Sequence, residues 1–283
     1  MEKTILSLRT ETSLHAGTGQ NVGVLDLPIQ REAHTDWPCV YGSAMKGALR
    51  SHAETRCGNE PWIKDVFGPE TKNASDHAGA LAVTDARLLL LPVRSLTGHF
   101  KWITCPAVLE RLKRDLQLTG KSIDFSIPSA SSGSVITNAG NAPIFLEEYQ
   151  FEQKGEGISE LITILGKFGM DAGQLGRQLV VMHDDDFTDF SRAATVVTPH
   201  IAIDNTKKTV VGGALWYEET LPPDTLLYTM LLANPSRNGD NKVDAATILG
   251  RVTGMFRSDK GYLQIGGNET VGMGWCRVTE VVL

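Results

Sequence analysis

One stretch of this chain, residues 26–50, does most to restrict its fold, because an irregular segment there gives way abruptly to a helix. Gly42 interrupts the preceding chain and Ser43 is a favourable N-cap, so the pattern predicts a helix over residues 44–55. Four residues of that helix fall on one stripe at helical spacing, which predicts that this face packs on a core. They are Met45, Leu49, His52 and Ala53.

Another face of the same helix carries Ser43, Lys46 and Arg50, which lie three and four residues apart. This face begins where backbone N–H groups lack helical partners and the helix dipole is positive. The pattern therefore predicts an anion site at the start of the helix. Lysines on exposed helical faces are common, however, so this pattern by itself favours an ordinary solvated face.

Strand and helix patterns alternate through the rest of the chain. Residues 4–14 alternate between apolar and polar side chains and predict a first strand with His15 at its exit. Residues 80–93 and 225–233 are strand-like, and residues 241–256 have helical periodicity. The β-α-β pattern at both ends of the chain suggests ferredoxin-like, or RRM-like, halves in an α+β fold.

Two segments stand apart from this pattern. Residues 196–222 contain two alternating runs joined by turn-forming residues, which predicts a β-hairpin with Lys207 and Lys208 near its tip. Residues 122–157 combine low hydropathy with short strand-like pieces and predict a loop-rich insertion.

Composition excludes several classes of protein. At 283 residues, of which 41% are hydrophobic, the chain can bury a substantial core. Its four cysteines form no CxxC pair, which favours neither a zinc site nor a disulfide framework and fits a reducing cytoplasm. Without a signal peptide or a bilayer-spanning apolar run, we expect a cytoplasmic protein with no membrane partner. The net charge of -6 implies that any nucleic-acid surface is local.

Glycine is concentrated near the end of the chain, in GGNETVGMG. Too few residues follow this segment to add the helix that a dinucleotide-binding or P-loop signature requires. Four glycines exceed the need of a tight turn, which predicts close approach of a ligand to backbone N–H groups. They are Gly266, Gly267, Gly272 and Gly274.

Four motifs in order, HAGTG, LDLPIQRE, YGSAMKGALR and GGNETVGMG, resemble the RAMP proteins of prokaryotic CRISPR systems. Within that superfamily, LPIQRE following an aspartate is most similar to the repeated backbone subunit of the type III-B (Cmr) effector complex. The resemblance implies a single RAMP domain over residues 1–283, built as a modified ferredoxin-like palm with loop-rich insertions. It also implies that the hairpin of residues 196–222 is a thumb, which presses between nucleotides of the bound guide RNA.

The resemblance also implies a site of target-RNA cleavage at Asp26. An aspartate in such a loop is more often a turn residue, but the matching aspartate is the one on which cleavage depends in this family. One carboxylate is too few for a two-metal site. We expect Asp26 to act as a base or to bind a divalent cation, Mg²⁺ or Mn²⁺, while a displaced nucleotide turns its 2′-hydroxyl in line with its own phosphate. The expected products have 2′,3′-cyclic phosphate and 5′-hydroxyl ends.

RNA contacts are expected along the first loop, the first helix, the hairpin tip and the last glycine loop. Lys46 is expected to bind a guide phosphate, whereas Arg50 could instead pair with Glu54 one turn on. Glu218 and Glu219 could complete a metal site, although a structural pair of acids is the favoured interpretation. The expected contacts are His15, Gly17, Ser43, Lys46, Arg50, Lys207, Gly266, Gly267, Gly272 and Gly274.

The implied partners are those of a helical assembly that cuts its target at regular intervals. They are guide crRNA, target RNA, further copies of the chain, a large polymerase/cyclase-like subunit, a 5′-tag-binding RAMP subunit, a small helical subunit and capping RAMP subunits. A non-catalytic subunit that only holds crRNA is the main alternative. A guide-processing endoribonuclease would instead require His15 to cleave.

Overall fold

The computed structural model describes residues 1–19, 25–70, 77–121, 123–138, 140, 142–155, 157–238, 242–257 and 261–283. The strands within these ranges are β1 (Glu2–Thr10), β2 (Cys39–Val40), β3 (Leu81–Val83), β4 (Ala86–Arg94), β5 (Phe100–Thr104), β6 (Ser134–Ile136), β7 (Ile144–Leu146), β8 (Tyr149–Gln153), β9 (Leu179–Met182), β10 (Val196–Ile203), β11 (Val210–Thr220), β12 (Leu226–Ala233), β13 (Tyr262–Gln264) and β14 (Trp275–Glu280). The α-helices are α1 (Gly42–Cys57), α2 (Pro61–Phe67), α3 (Pro106–Leu118), α4 (Ser159–Gly166), α5 (Ala172–Gln178), α6 (Asp184–Ala193) and α7 (Ala245–Gly254).

The centre of the fold is an antiparallel run of four strands in the order β14-β1-β12-β4. Helix α1 follows β1 in the chain and α7 follows β12, so both ends contribute a β-α-β unit to one sheet. The predicted α+β, ferredoxin-like arrangement is therefore confirmed, with the two predicted halves merged into a single sheet.

The central strand β1 ends at Thr10, earlier than the alternation predicted. Leu14 forms only an isolated bridge with Leu221, because the chain turns after Thr10, whose hydroxyl donates to the carbonyl of Pro222. Residues on both faces of β1 are buried, and Ser7 donates a hydrogen bond of 2.7 Å to the carbonyl of Phe168, which follows α4. His15 therefore lies beyond the strand, in the loop that leads to the candidate site.

The chain between β4 and β12 extends the sheet. Strand β5 pairs with β4, β9 lies parallel to β5, and β6, β8 and β7 follow in that order. The predicted insertion contributes β6, β7 and β8 and leaves residues 123–130 without regular structure. Its predicted first residue, Ser122, lies outside the described residues, as do residues 139, 141 and 156.

Strands β10 and β11 form an antiparallel hairpin in a two-stranded sheet of their own, where the turn residues predict one. At its tip, the carboxylate of Asp204 accepts hydrogen bonds from the backbone N–H groups of Thr206 and Lys207. Only the last residues of β11, Glu218 to Thr220, are buried. The hairpin is therefore anchored at its base and exposed over most of its length.

No helix among the described residues is both long and apolar enough to cross a bilayer.

Candidate functional site

Backbone pairing between the first loop and the base of the hairpin fixes the position of Asp26. The N–H of Leu27 donates to the carbonyl of Tyr217, and the carbonyl of Leu27 accepts from the N–H of Glu219, both at 3.0 Å. The N–H of Tyr217 donates to Oδ2 of Asp26 at 2.8 Å. Asp26 is partly exposed, and no described residue donates to its Oδ1. One carboxylate oxygen therefore orients the side chain, while the other has no donor among the described residues.

His15 is held in a single orientation beside this loop. Its Nδ1 lies 2.7 Å from the carbonyl oxygen of Glu219, which can only accept, so Nδ1 carries the proton. The opposite nitrogen, Nε2, faces Gly17, where a Cβ would lie only 2.7 Å from it. Gly17 is therefore required by the space that the imidazole ring occupies, and His15 is 8% exposed.

The last glycine loop packs directly on His15. A Cβ at Gly266 would lie 2.2 Å from the carbonyl oxygen of His15, and the N–H of Gly267 donates to that same oxygen at 2.9 Å. A Cβ at Gly274 would lie 2.0 Å from the carbonyl oxygen of Ile265. These contacts bring the two ends of the chain together at the site.

The expected approach of a ligand to the backbone of the four glycines stays a prediction, because the chain's own geometry also favours glycine in this loop. Gly266, Gly272 and Gly274 have φ angles of +79°, +84° and +81°, a region that favours glycine. Gly267 has neither a positive φ nor an atom closer than 3.7 Å to an added Cβ. Intramolecular geometry therefore accounts for three of the four glycines.

Four of the predicted site residues line one cleft of about 290 Å³. The cleft lies between the first loop and the last glycine loop, with Thr18, Gly19, Leu27 and Pro28 completing its walls. The four predicted residues are His15, Gly17, Asp26 and Gly267.

The buried amide of Gln30 connects this cleft to helix α1. Its Nε2 donates to the carbonyl of Gly17 at 2.9 Å, and its Oε1 accepts from the N–H of Tyr41 at 2.6 Å. Tyr41 is the N-cap residue of α1, so one side chain joins the wall of the cleft to the start of the helix. Sequence reasoning placed Gln30 in a motif but gave it no role.

The start of α1 differs from the prediction, because Ser43 is not its N-cap. The helix begins at Gly42, whose N–H donates to Oδ1 of Asp85 at 2.7 Å. Asp85 therefore occupies part of the predicted anion site and places a negative charge there. Ser43 is exposed, and no described residue accepts from the N–H groups of Ser43 or Ala44, which remain available to a ligand.

Lys46 and Arg50 follow on the next turn, in different situations. Arg50 donates to Glu54 at 2.8 Å and to the carbonyls of Gly68 and Pro69, so its pairing with Glu54 is confirmed. Lys46 is half-buried and forms no ion pair with a described residue. Burial, followed by the charges of Arg50 and Arg237, lowers the pKa of Lys46. Its ammonium group lies in a cationic environment that an anion would relieve.

Glu219 is part of the structure of the hairpin base, as the favoured interpretation predicted. Its Oε1 accepts from Arg31 at 2.6 Å and from Thr195 at 2.7 Å, and its Oε2 accepts from the N–H of Ile29 at 3.1 Å. All these partners are protein groups, so Glu219 has no free oxygen directed toward a ligand.

Glu218 is also buried, between the rings of two histidines. It lies 3.5 Å from Nδ1 of His15 and 3.4 Å from Nε2 of His200, and it accepts a hydrogen bond from the side chain of Asn268. Among the described residues, no three His, Cys, Asp or Glu side chains cluster closely enough to hold a metal ion.

Lys207 lies at the tip of the hairpin, at the opposite end from the base that contacts Leu27. Its side chain is exposed. The structure therefore does not bring Lys207 into the cleft.

Comparison with known proteins decides the family. The model of the RAMP superfamily matches residues 7–277. The chain belongs to the RAMP superfamily. Within it, the chain is 37% identical over 288 residues to the CRISPR system Cmr endoribonuclease Cmr4 of Pyrococcus furiosus, covering 99% of this chain and 96% of that one. It is 25% identical to the CMR subunit Cmr4 of Saccharolobus solfataricus, over 94% of this chain and 92% of that one.

Solved RAMP structures agree with this assignment. The crystal structure of oligomeric Cmr4 from P. furiosus matches with a TM-score of 0.77 and 31% identity, over 100% of this chain and 99% of that chain. A chain in the cryo-EM structure of the type III-B Cmr-beta complex bound to cognate target RNA matches with a TM-score of 0.78, at 23% identity, over 99% and 98%. The latter shows a shared fold. The predicted resemblance to the type III-B backbone subunit is confirmed.

Proposed function

We propose that this chain is a repeated backbone subunit of a type III-B CRISPR ribonucleoprotein, which holds guide crRNA and cleaves the complementary target RNA. The observation that carries this proposal is the placement of Asp26 in the cleft, in a chain 37% identical over nearly its full length to a Cmr endoribonuclease. Its oriented carboxylate has one oxygen without a described partner.

The cleavage step follows from this placement. The RNA is held so that the 2′-hydroxyl of one nucleotide lies in line with its own phosphate, and Asp26 either accepts the hydroxyl proton itself or holds a divalent cation that would favour loss of that proton to solvent. The 2′-oxygen then bonds to phosphorus, the bond to the 5′-oxygen breaks, and that oxygen takes a proton from solvent. The products carry 2′,3′-cyclic phosphate and 5′-hydroxyl ends.

The proposal includes a divalent cation, Mg²⁺ or Mn²⁺. Such ions are often held by one or two carboxylates together with substrate phosphates, so a single oxygen of Asp26 suits them when the RNA supplies the remaining ligands. When bound, the cation would neutralise charge at the reacting phosphate. The protein's own contribution is to orient Asp26 through Tyr217 and the paired backbone of Leu27.

The guide crRNA would lie along the start of α1 and the last glycine loop. Lys46 and the free N–H groups of Ser43 and Ala44 suit a phosphate there. Gly17, Gly267 and His15 line the adjoining cleft. We keep Arg50 on α1 and Gly266, Gly272 and Gly274 in the last glycine loop as further RNA contacts of this proposal. Lys207 would contact the RNA from the hairpin, acting as a thumb.

The proposed partners are further copies of the chain in a helical stack and the other subunits of the complex. Exposed apolar side chains on the hairpin, such as Ile201 and Leu215, suit burial against a neighbouring copy. A net charge of -6 suits a subunit that holds RNA within an assembly better than one that searches for RNA alone. We place this assembly in the prokaryotic cytoplasm.

Reconstitution with guide crRNA and the other subunits tests the proposal. A complementary target RNA labelled at its 5′ end should be cut at regular intervals, and the fragments should carry cyclic phosphate ends. Uncut target, or cutting that continues when this chain is replaced by buffer, would contradict it.

A non-catalytic subunit that holds crRNA is the second candidate. The hydrogen bond from Tyr217 to Asp26 favours it, because it gives Asp26 a structural role of its own. Asp26→Asn separates the two candidates, since an amide oxygen can still accept that hydrogen bond but the side chain is no longer a base.

A further inference from the structure

A second cleft, of about 320 Å³, lies between the β7–β8 turn and helix α6. Its floor is aromatic: Phe190 makes an edge-on contact with Tyr149 at 6.0 Å and a tilted contact with Phe151 at 5.9 Å, measured between ring centroids. Phe151 and Phe190 are buried, whereas Tyr149 is 57% exposed. A large aromatic ring is thus presented to solvent at the edge of a cavity.

Among the residues that the structure describes, four carboxylates and no basic side chain line this cleft. Glu147 pairs with Arg94 at 2.8 Å, and Asp186 accepts hydrogen bonds from the hydroxyl of Ser132 and the N–H of Gly133, each at 3.0 Å. Glu148 and Asp189 are exposed and have no described partner. The cleft therefore combines an aromatic surface with two negative charges that no described residue neutralises.

The aromatic surface and the carboxylates together indicate which chemical group would bind in the cleft. RNA is disfavoured, because its phosphates would meet four carboxylates, and the neighbouring cation Arg94 is already paired with Glu147. A guanidinium group is favoured, because it stacks on aromatic faces and its planar fork matches carboxylate oxygens in pairs. The ammonium group of a lysine has the same charge, but it is not planar and does not present paired N–H donors as a guanidinium group does.

We propose that this cleft docks an arginine side chain of a different protein subunit. A second copy of this chain is the less favoured source, because the hairpin of residues 196–220, the surface proposed for stacking of copies, carries no arginine. The cleft lies outside the Asp26 site and shares no lining residue with it. The proposal therefore goes beyond RNA cleavage and assigns to this face the binding of a basic protein partner.

The probe is N-acetyl-L-argininamide, titrated into the isolated chain labelled at alanine methyl groups. Ala193 and Ala194 line the cleft, so their methyl resonances should shift and saturate. Glu148→Gln with Asp189→Asn should weaken binding about tenfold or more, because charge-assisted hydrogen bonds are lost. N-acetyl-L-citrullinamide, a neutral ligand of similar shape, should bind at least about tenfold more weakly than the arginine probe.

The chain offers a control pair close to the two cleft carboxylates, on β8 and α6. Glu152 on β8 and Asp185 on α6 are exposed and lie outside the cleft. Glu152→Gln with Asp185→Asn removes the same charge and should leave arginine binding within about twofold of wild type, as expected for screened charges at a distance. Thermal unfolding of both double variants identifies any loss of fold.

A second experiment uses the reconstituted complex and native mass spectrometry. The Glu148→Gln, Asp189→Asn chain should retain guide crRNA but lose a protein subunit that the control variant retains. Failure of the wild-type chain to hold crRNA would count against the proposed function, whereas the arginine titration tests the cleft independently.

Four results of the titrations would overturn the docking proposal. They are the absence of a saturable shift, equal binding of the citrulline ligand, equal weakening by the control variant, and an oligouridine probe that shifts the same methyl groups. Self-association that falls only with Glu148→Gln and Asp189→Asn would also overturn it, because the occupant would then be a second copy.

Discussion

At the scale of single residues, short backbone contacts set the geometry of the site. Gly266 and Gly17 leave space for the carbonyl and the ring of His15, while the N–H of Tyr217 orients Asp26. The first loop and the last glycine loop therefore meet where neither Gly17 nor Gly266 has room for a side chain. Substitutions at these positions should act through packing before they affect RNA.

Gly266 and Gly267 form a matched pair for testing this packing. Gly266→Ala should destabilise the protein by about 1–3 kcal/mol, because it combines a positive φ with a close contact to His15. Gly267→Ala should change the free energy of unfolding by less than about 0.5 kcal/mol, since its Cβ meets no atom within 3.7 Å. Urea denaturation measures both. Equal stability of the two variants would show that Gly266 does not pack against the carbonyl of His15.

Removal of the metal tests whether cleavage needs a divalent cation held by Asp26. Chelation with EDTA should stop target cleavage by the assembled complex while target binding continues, and Mg²⁺ or Mn²⁺ should restore the cutting. The measurement is the single-turnover rate on labelled target RNA. An unchanged rate in EDTA would leave Asp26 as a base that acts without a cation.

The sequence predicted which residues form the cleft, but it did not predict all the hydrogen bonds that hold them. The association of His15, Gly17, Asp26 and Gly267 followed from family motifs, and the structure brings these residues into one cleft. The hydrogen bonds of Gln30 could not be foreseen, because its partners become neighbours only after folding.

At the scale of elements, helix α1 shows what local sequence can and cannot specify. Met45, Leu49 and Ala53 are buried, as their helical spacing predicted, whereas His52 is only partly covered. The N-cap prediction failed because Asp85, far along the chain, supplies the capping oxygen that was assigned to Ser43. The spacing of apolar residues predicts which face of a helix is buried, but it does not reveal a hydrogen-bond partner that another element supplies.

Lys46 is the element-scale test of RNA binding. Lys46→Ala should weaken binding of guide crRNA and reduce the slope of log affinity against log salt concentration by about 0.7, the loss of one phosphate contact to a single strand. Lys64→Ala on α2 removes an exposed charge outside the cleft and should leave the slope unchanged. Filter binding over a series of salt concentrations gives both slopes. Identical slopes for the wild type and Lys46→Ala would remove Lys46 from the interface.

At the scale of the whole molecule, the rest of the chain packs against only the base of the hairpin. This packing is too little to explain how the exposed part of the hairpin is stabilised in a monomer. Isolated two-stranded ribbons are only marginally stable in water, and this one carries several large apolar side chains in solvent. The alternating pattern predicted the hairpin itself. It could not predict how little of the hairpin the rest of the chain covers.

Ile201 and Leu215 form a cross-strand pair on this hairpin, exposed by 48% and 55%. Ile201→Lys with Leu215→Lys should abolish stacking of copies while changing the free energy of unfolding by less than about 1 kcal/mol. Leu96→Lys with Val282→Lys places the same charges at other exposed apolar positions and should leave stacking intact. Sedimentation velocity measures the assembly. Stacking that survives in the hairpin variant would place the interface elsewhere.

Single-turnover cleavage by complexes assembled with Asp26→Asn tests the central claim most directly. The rate should fall about 100-fold or more, the usual contribution of a positioned base, while crRNA retention and target affinity stay within about twofold of wild type. Glu269→Gln, which removes a charge from the last glycine loop, should cut normally. A rate for Asp26→Asn equal to that of wild type would contradict the assignment of Asp26 to cleavage.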